Sequence, residues 1–216
     1  GVAGGPGINA LADLRGKKIA FVPGPSSEYV LAVALRSVGI SMDDVSPVPI
    51  TDPSNAIGAF TSGEADAICI YQPFLSQTTA RQGAKLLCTT RDFPEVSMGC
   101  FLVREGATER DDLVSRFIAG IRRAEAFTAA NPEAANAHIV SGLGVPAELI
   151  QTMRDGVRLQ DSAANAAYLN AVGDAEPRAL PLMRNIYDYF HSRGRAEEYT
   201  VSTADISTAA GAAFSR

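Results

Sequence analysis

The chain has 216 residues, of which 46% are hydrophobic and 20% charged, with 19 basic against 24 acidic side chains and a net charge of −5. That composition can bury a sizeable core, as one large domain or two small lobes, and it excludes general disorder. It also argues against a nucleic-acid partner, which requires clustered Lys and Arg.

The opening segment, Gly1 to Gly7, reads as a glycine-rich loop with no packing face, so nothing ahead of residue 17 is expected to supply a first strand. Lys18–Val22 is a short apolar strand, and Arg15 to Lys18 ahead of it reads as its solvated edge. Pro23, Gly24 and Pro25 break that strand, and Ser26 or Ser27 is placed to cap a helix reaching about Val38. Val30, Leu31, Ala34, Leu35 and Val38 keep the spacing of a buried helical face, and Gly39 suits its end. Val45–Ile50 is a second strand. Asp52, followed by Pro53, starts a helix to about Thr61 with Ala56, Ile57 and Phe60 inward. Ala67–Tyr71 is a third strand whose near-continuous apolar run suits burial on both faces. Pro73 opens a helix to about Arg81, Lys85–Thr89 is a fourth strand and Cys100–Arg104 a fifth. This alternation of strands and helices predicts a mostly parallel sheet with helices on both faces.

After Arg104 the pattern turns helical. Thr108 and Asp111 resemble a capping box for a helix from about Glu109 to Ala130, with Leu113, Phe117, Ile121, Ala124 and Phe127 as its apolar stripe. Further helices follow from Pro132 to Val140 and from Pro146 to Gly156, with a partly helical stretch at Asp161–Val172. Pro177–Ser192 is strongly amphipathic, with Leu180, Met183, Ile186, Tyr187 and Phe190 inward. The tail from Ser202 is rich in Ala and Thr. This half has no sheet of its own, and much of what it packs against is expected to lie outside the chain. No apolar run approaches the roughly 20 residues needed to cross a bilayer.

Candidate chemistry concentrates at strand ends. In an open α/β sheet the ligand crevice lies off the C-terminal ends of the strands. Ser26 and Ser27 stand at one such end and at a helix start, where free N–H groups and the positive dipole end favour an anion. A serine there equally serves as a simple cap. Glu28 can meet a cationic group on a ligand or merely complement the dipole. Tyr71 and Gln72 close the third strand, and Asn55 follows the second, so all of these can share one cleft wall. Ser97, Met98 and Gly99 are weaker candidates. His138 and His191 read as packing or surface residues. The three cysteines, Cys69, Cys88 and Cys100, read as small buried hydrophobes, and a Cys69–Cys88 disulfide would have poor geometry within a parallel sheet. There is no metal-ligand spacing, no Walker A lysine, no G-x-S-x-G and no H-E-x-x-H, so no cofactor is expected.

Read in order, Leu11–Ala20, Pro25–Tyr29, Phe60–Ala67, Ile70–Phe74, Leu102–Arg104 and Asn131–Glu133 resemble the solute-binding proteins of nitrate, sulfonate and taurine ABC transporters, a group that includes pyrimidine-precursor binders. The resemblance runs from about Ala10 to about Arg195. It implies a type II periplasmic-binding-protein-like α/β fold: two lobes joined by a hinge, the first incomplete in this chain. Residues 1–16 would be hinge and first-lobe remnant, 17–104 the second lobe and 105–216 a helical return with the tail. It implies a small anionic solute, a permease as partner, a monomer, and a periplasmic or lipid-anchored location. Tyr71-Gln72 stands where sulfonate binders often have Trp-Asp, so the preferred solute would differ. Two alternatives share the scaffold: an enzyme of pyrimidine-synthase or sulfinate-desulfinase type, and the effector domain of a transcription regulator.

Overall fold

A computed structural model of the chain describes residues 1–93, 95–101, 112–158, 160–170, 176–197 and 202. The chain divides into two units, Gly1–Met98 and Gly99–Arg216.

The first unit is built on a five-stranded sheet of β1 (Val2–Gly4), β2 (Lys18–Phe21), β3 (Ser46–Pro49), β4 (Ala67–Cys69) and β5 (Lys85–Cys88). Its order is β3-β2-β4-β1-β5. β2 runs parallel to β3 and β4, as the alternating pattern predicts. β1 departs from that reading. The opening segment is not a loop: it enters the sheet between β4 and β5, antiparallel to both, with Val2 opposite Cys69 and Cys88. Val2 and Ala3 are fully buried. Gly1, Gly4 and Gly5 of this segment lie where the backbone is crowded. A Cβ at Gly4 would stand 2.6 Å from Ile8 Cγ2. Three residues are also too few to show alternation.

Three helices pack on this sheet. A π-helical turn, Pro25–Tyr29, runs directly into α1 (Val30–Arg36). α2 (Pro53–Ser62) begins on Asp52, whose carboxylate accepts the Ser54 N–H at 2.7 Å, and ends on Gly63 at φ 79°. α3 (Phe74–Thr79) follows a cis Gln72–Pro73 peptide. Ala20 of β2, Ile68 of β4, Ala56 and Ala59 of α2, and Leu75 of α3 form one core on one face of the sheet. Alternation along β2 and β4 turns Ile19, Phe21 and Cys69 to the other face. β3, which carries Pro47 and Pro49, is the edge strand, where a missing N–H is tolerated. Val38, expected inward, lies beyond α1 and is exposed.

The second unit is helical where described: α4 (Leu113–Ala130), α5 (Pro132–Leu143), α6 (Ala147–Gly156), α7 (Ser162–Leu169) and α8 (Ala179–Ser192). In α8, Ala179 and Leu180 are buried and Tyr168, Leu169, Met183 and Tyr187 pack against them, close to the predicted face. α4 differs from expectation. Of its predicted stripe, Leu113, Phe117 and Phe127 are exposed, and Ile118 is the buried position. Phe117 instead stacks edge-on against Phe101 at 4.9 Å. Cys100 and Phe101 are irregular, and the remainder of the predicted fifth strand, Leu102–Arg104, lies outside the described residues, as do Thr108, Asp111 and the tail beyond Ser202. Among the described residues no helix is long and apolar enough to cross a membrane.

Candidate functional site

The sheet register brings the candidate segments to one edge. Phe21, at the end of β2, lies opposite Pro49 of β3 and Cys69 of β4. The turn carrying Ser26 and Ser27, the start of α2 with Asn55, and the Tyr71–Gln72 step therefore all follow strand ends on the same side. This is the side on which an open α/β sheet offers a crevice.

The two serines are not equivalent. Neither caps a helix. The turn begins at Gly24, whose φ of 123° is open only to glycine. The Gly24 N–H is taken by Glu28 Oε2 at 3.1 Å, and the Glu28 N–H donates to the Gly24 carbonyl at 3.0 Å. Glu28, 2% exposed, thus closes the turn on itself rather than facing outward. Ser26 is exposed, whereas Ser27 is fully buried and its Oγ makes no hydrogen bond among the described residues. A buried hydroxyl without a partner costs about 1–3 kcal/mol. In native structures most such groups are satisfied by protein or by ordered water. The Ser27 backbone carbonyl, by contrast, accepts both the Val30 N–H and the Cys69 thiol, the latter at 3.3 Å.

The other candidates divide the same way. Tyr71 is 38% exposed and meets Phe74 edge-on at 6.0 Å, which leaves much of its ring free at the strand end. Gln72 is half-buried, and its Oε1 accepts the Ser76 N–H at 3.2 Å and the Ser76 hydroxyl at 2.8 Å, so it helps to start α3. Asn55 is exposed in the first turn of α2. Burial pushes the Cys69 thiol up to about 12 and also raises Cys88, so both keep their protons. Cys69, Cys88 and Cys100 are all free thiols, and Cys100 is exposed. His191 stacks on Tyr187 at 5.4 Å and His138 lies beside Phe127, both in the helical unit. Among the described residues no group of His, Cys, Asp or Glu is arranged to hold a metal. An open groove of 460 Å³ exists elsewhere in the first unit, lined by Gly5, Ile8, Lys17, Phe60 and Asp66. It sits at the N-terminal ends of β2 and β4, the opposite edge from the serines, and holds none of the candidate residues.

Residues 2–135 match the family described as NMT1/THI5 like. The chain belongs to the NMT1/THI5-like family. Over 148 residues this NMT1/THI5-like chain is 30% identical to an aliphatic sulfonates-binding protein of Escherichia coli; the match covers 68% of the chain and 46% of that protein. Among solved structures it is similar to the periplasmic aliphatic sulphonate binding protein SsuA of Escherichia coli, with a TM-score of 0.75 and 25% identity, over 95% of the chain and 63% of SsuA. The alkanesulfonate-binding SsuA of Xanthomonas axonopodis pv. citri, bound to MOPS, shares the fold with a TM-score of 0.72 and 21% identity, over 94% of the chain and 68% of that structure. The mixed α/β architecture is thus that of SsuA-type periplasmic binding proteins. The desulfurization enzyme DSZB has the same fold, with a TM-score of 0.65 at 16% identity, over 100% of the chain and 75% of the enzyme. The chain spans less than half the length of the Escherichia coli relative it matches.

Proposed function

We propose that the chain belongs to a solute-binding protein for a small organic sulfonate, serving an ABC importer from the extracytoplasmic side. The observation that carries this reading is the Pro25–Tyr29 turn, with an exposed Ser26 and a buried, unpartnered Ser27 hydroxyl at the start of a helical run. An anionic head there would meet the serine hydroxyls and the positive end of the helical run, worth about 0.3–2 kcal/mol from the dipole alone. None of the candidate residues carries a fixed positive charge, which suits a solute that must be released. Tyr71 and Asn55 flank the turn from neighbouring strand ends and would line the wall beside the solute's organic part. Gln72 would act through the start of α3, and Glu28 by shaping the turn. Residues 17–104 would form one lobe, and the later helices would return to the other. Closure of the lobes on the solute would give the form a permease reads, with the binding protein monomeric.

Relatives named for binding sulfonates support the solute class. Burial keeps Cys69 and Cys88 protonated, which weighs against either of them serving as a cysteine nucleophile. Calorimetric titration of the full-length protein with butanesulfonate, taurine, nitrate and sulfate tests the proposal. A sulfonate is expected to bind most tightly, and the double substitution Ser26→Ala/Ser27→Ala to weaken it by about tenfold or more through loss of two hydrogen bonds. Equal affinity in the double variant, or no uptake of any sulfonate, contradicts it.

A further inference from the structure

The turn proposed to receive the solute is tied to the sheet by one buried side chain. β4 ends on Cys69, and the pleat turns its side chain away from the core that holds Ile68 and Ile70. Its Sγ–H donates to the Ser27 carbonyl at 3.3 Å, a fully buried contact between residues 42 apart in sequence. The same carbonyl accepts the Val30 N–H, which starts α1. Ser27 is therefore gripped at its carbonyl while its own Oγ stays unpartnered.

We propose that Cys69 is a positioning residue for solute binding: its thiol fixes the Ser27 peptide and so sets where Ser26 and Ser27 present their hydrogen-bonding groups. This rests on the reading of the Pro25–Tyr29 turn as the solute site. Burial keeps the thiol protonated, so it remains a donor throughout the physiological range. The grip is from below, through β4, and it complements the hold that Glu28 exerts on Gly24 within the turn.

Cys69→Ala and Cys69→Ser remove nearly the same volume, but only serine keeps a donor. Comparing the two isolates the hydrogen bond from packing. Each variant of the full-length protein is titrated with butanesulfonate, and amide exchange at Val30 is followed in the solute-free state. Loss of one hydrogen bond predicts about three- to tenfold weaker binding and correspondingly faster Val30 exchange in Cys69→Ala, with Cys69→Ser restoring both to within about twofold of wild type. If wild type binds and the two variants bind alike, the thiol acts through volume alone and this proposal falls while the turn remains the site. If wild type itself takes up no butanesulfonate, the reading of the turn falls and this proposal with it.

Discussion

Ser27 and Glu28 are adjacent and both buried, yet the structure assigns them opposite energetic roles. Ser27→Ala removes a hydroxyl that has no partner among the described residues, so stability should hold or rise by up to about 1 kcal/mol. Glu28→Ala strips the acceptor from the Gly24 N–H and should cost about 1–3 kcal/mol. Chemical denaturation of the two variants checks this, and a Ser27→Ala loss as large as that of Glu28→Ala contradicts it. The thiols offer a second test. Their folded pKa values are raised by burial, so the protonated forms of Cys69 and Cys88 persist as pH rises through the ordinary thiol range, and reactivity toward a thiol reagent stays suppressed. Of the chain's three cysteines, Cys100 alone should react rapidly in native protein at pH 8, and Cys69 and Cys88 should join it on denaturation. Residue types at the site were readable from sequence, but their roles were not. The serines looked like caps because hydroxyls usually cap. Here Gly24 takes a backbone angle that hands the job to the carboxylate four residues on, and no local pattern announces that exchange.

At the scale of elements, the sequence was most legible where start and stop signals are chemical. Asp52, Pro53 and Gly63 bracket α2 almost to the residue, because a carboxylate cap, a proline ring and a left-handed glycine act locally. It was least legible where a strand is made by its neighbours. β1 exists because β4 and β5 offer it backbone partners on both sides, and only small residues fit between Ile8 and the strand. Gly4→Ala should therefore destabilise the first unit by about 1–3 kcal/mol through overpacking, although alanine has the better intrinsic propensity. Stability unchanged in that variant would show that Ile8 yields freely. In α4 the 3.6-residue period correctly predicts a helix, but period alone does not say whether the apolar stripe is covered. Phe117 remains 47% exposed.

At the scale of the whole chain, the crevice-side placement of the candidates was deducible because it follows from topology: β2, β3 and β4 are parallel, so whatever follows each of them shares an edge. What covers the α4 stripe was not deducible, since an apolar stripe names no partner. SsuA of Escherichia coli is matched over 63% of its length, so a complete relative contains structure that this chain does not span. We propose that the edge bearing Ser26 and Ser27, and not the groove at the far edge, receives a sulfonate. Backbone amide shifts of the full-length protein during titration with butanesulfonate test it most directly. The largest saturable changes are expected at Ser26, Ser27, Glu28 and Tyr71, with Lys17, Phe60 and Asp66 unmoved. Saturable changes centred on Lys17, Phe60 and Asp66, or none anywhere, would contradict it.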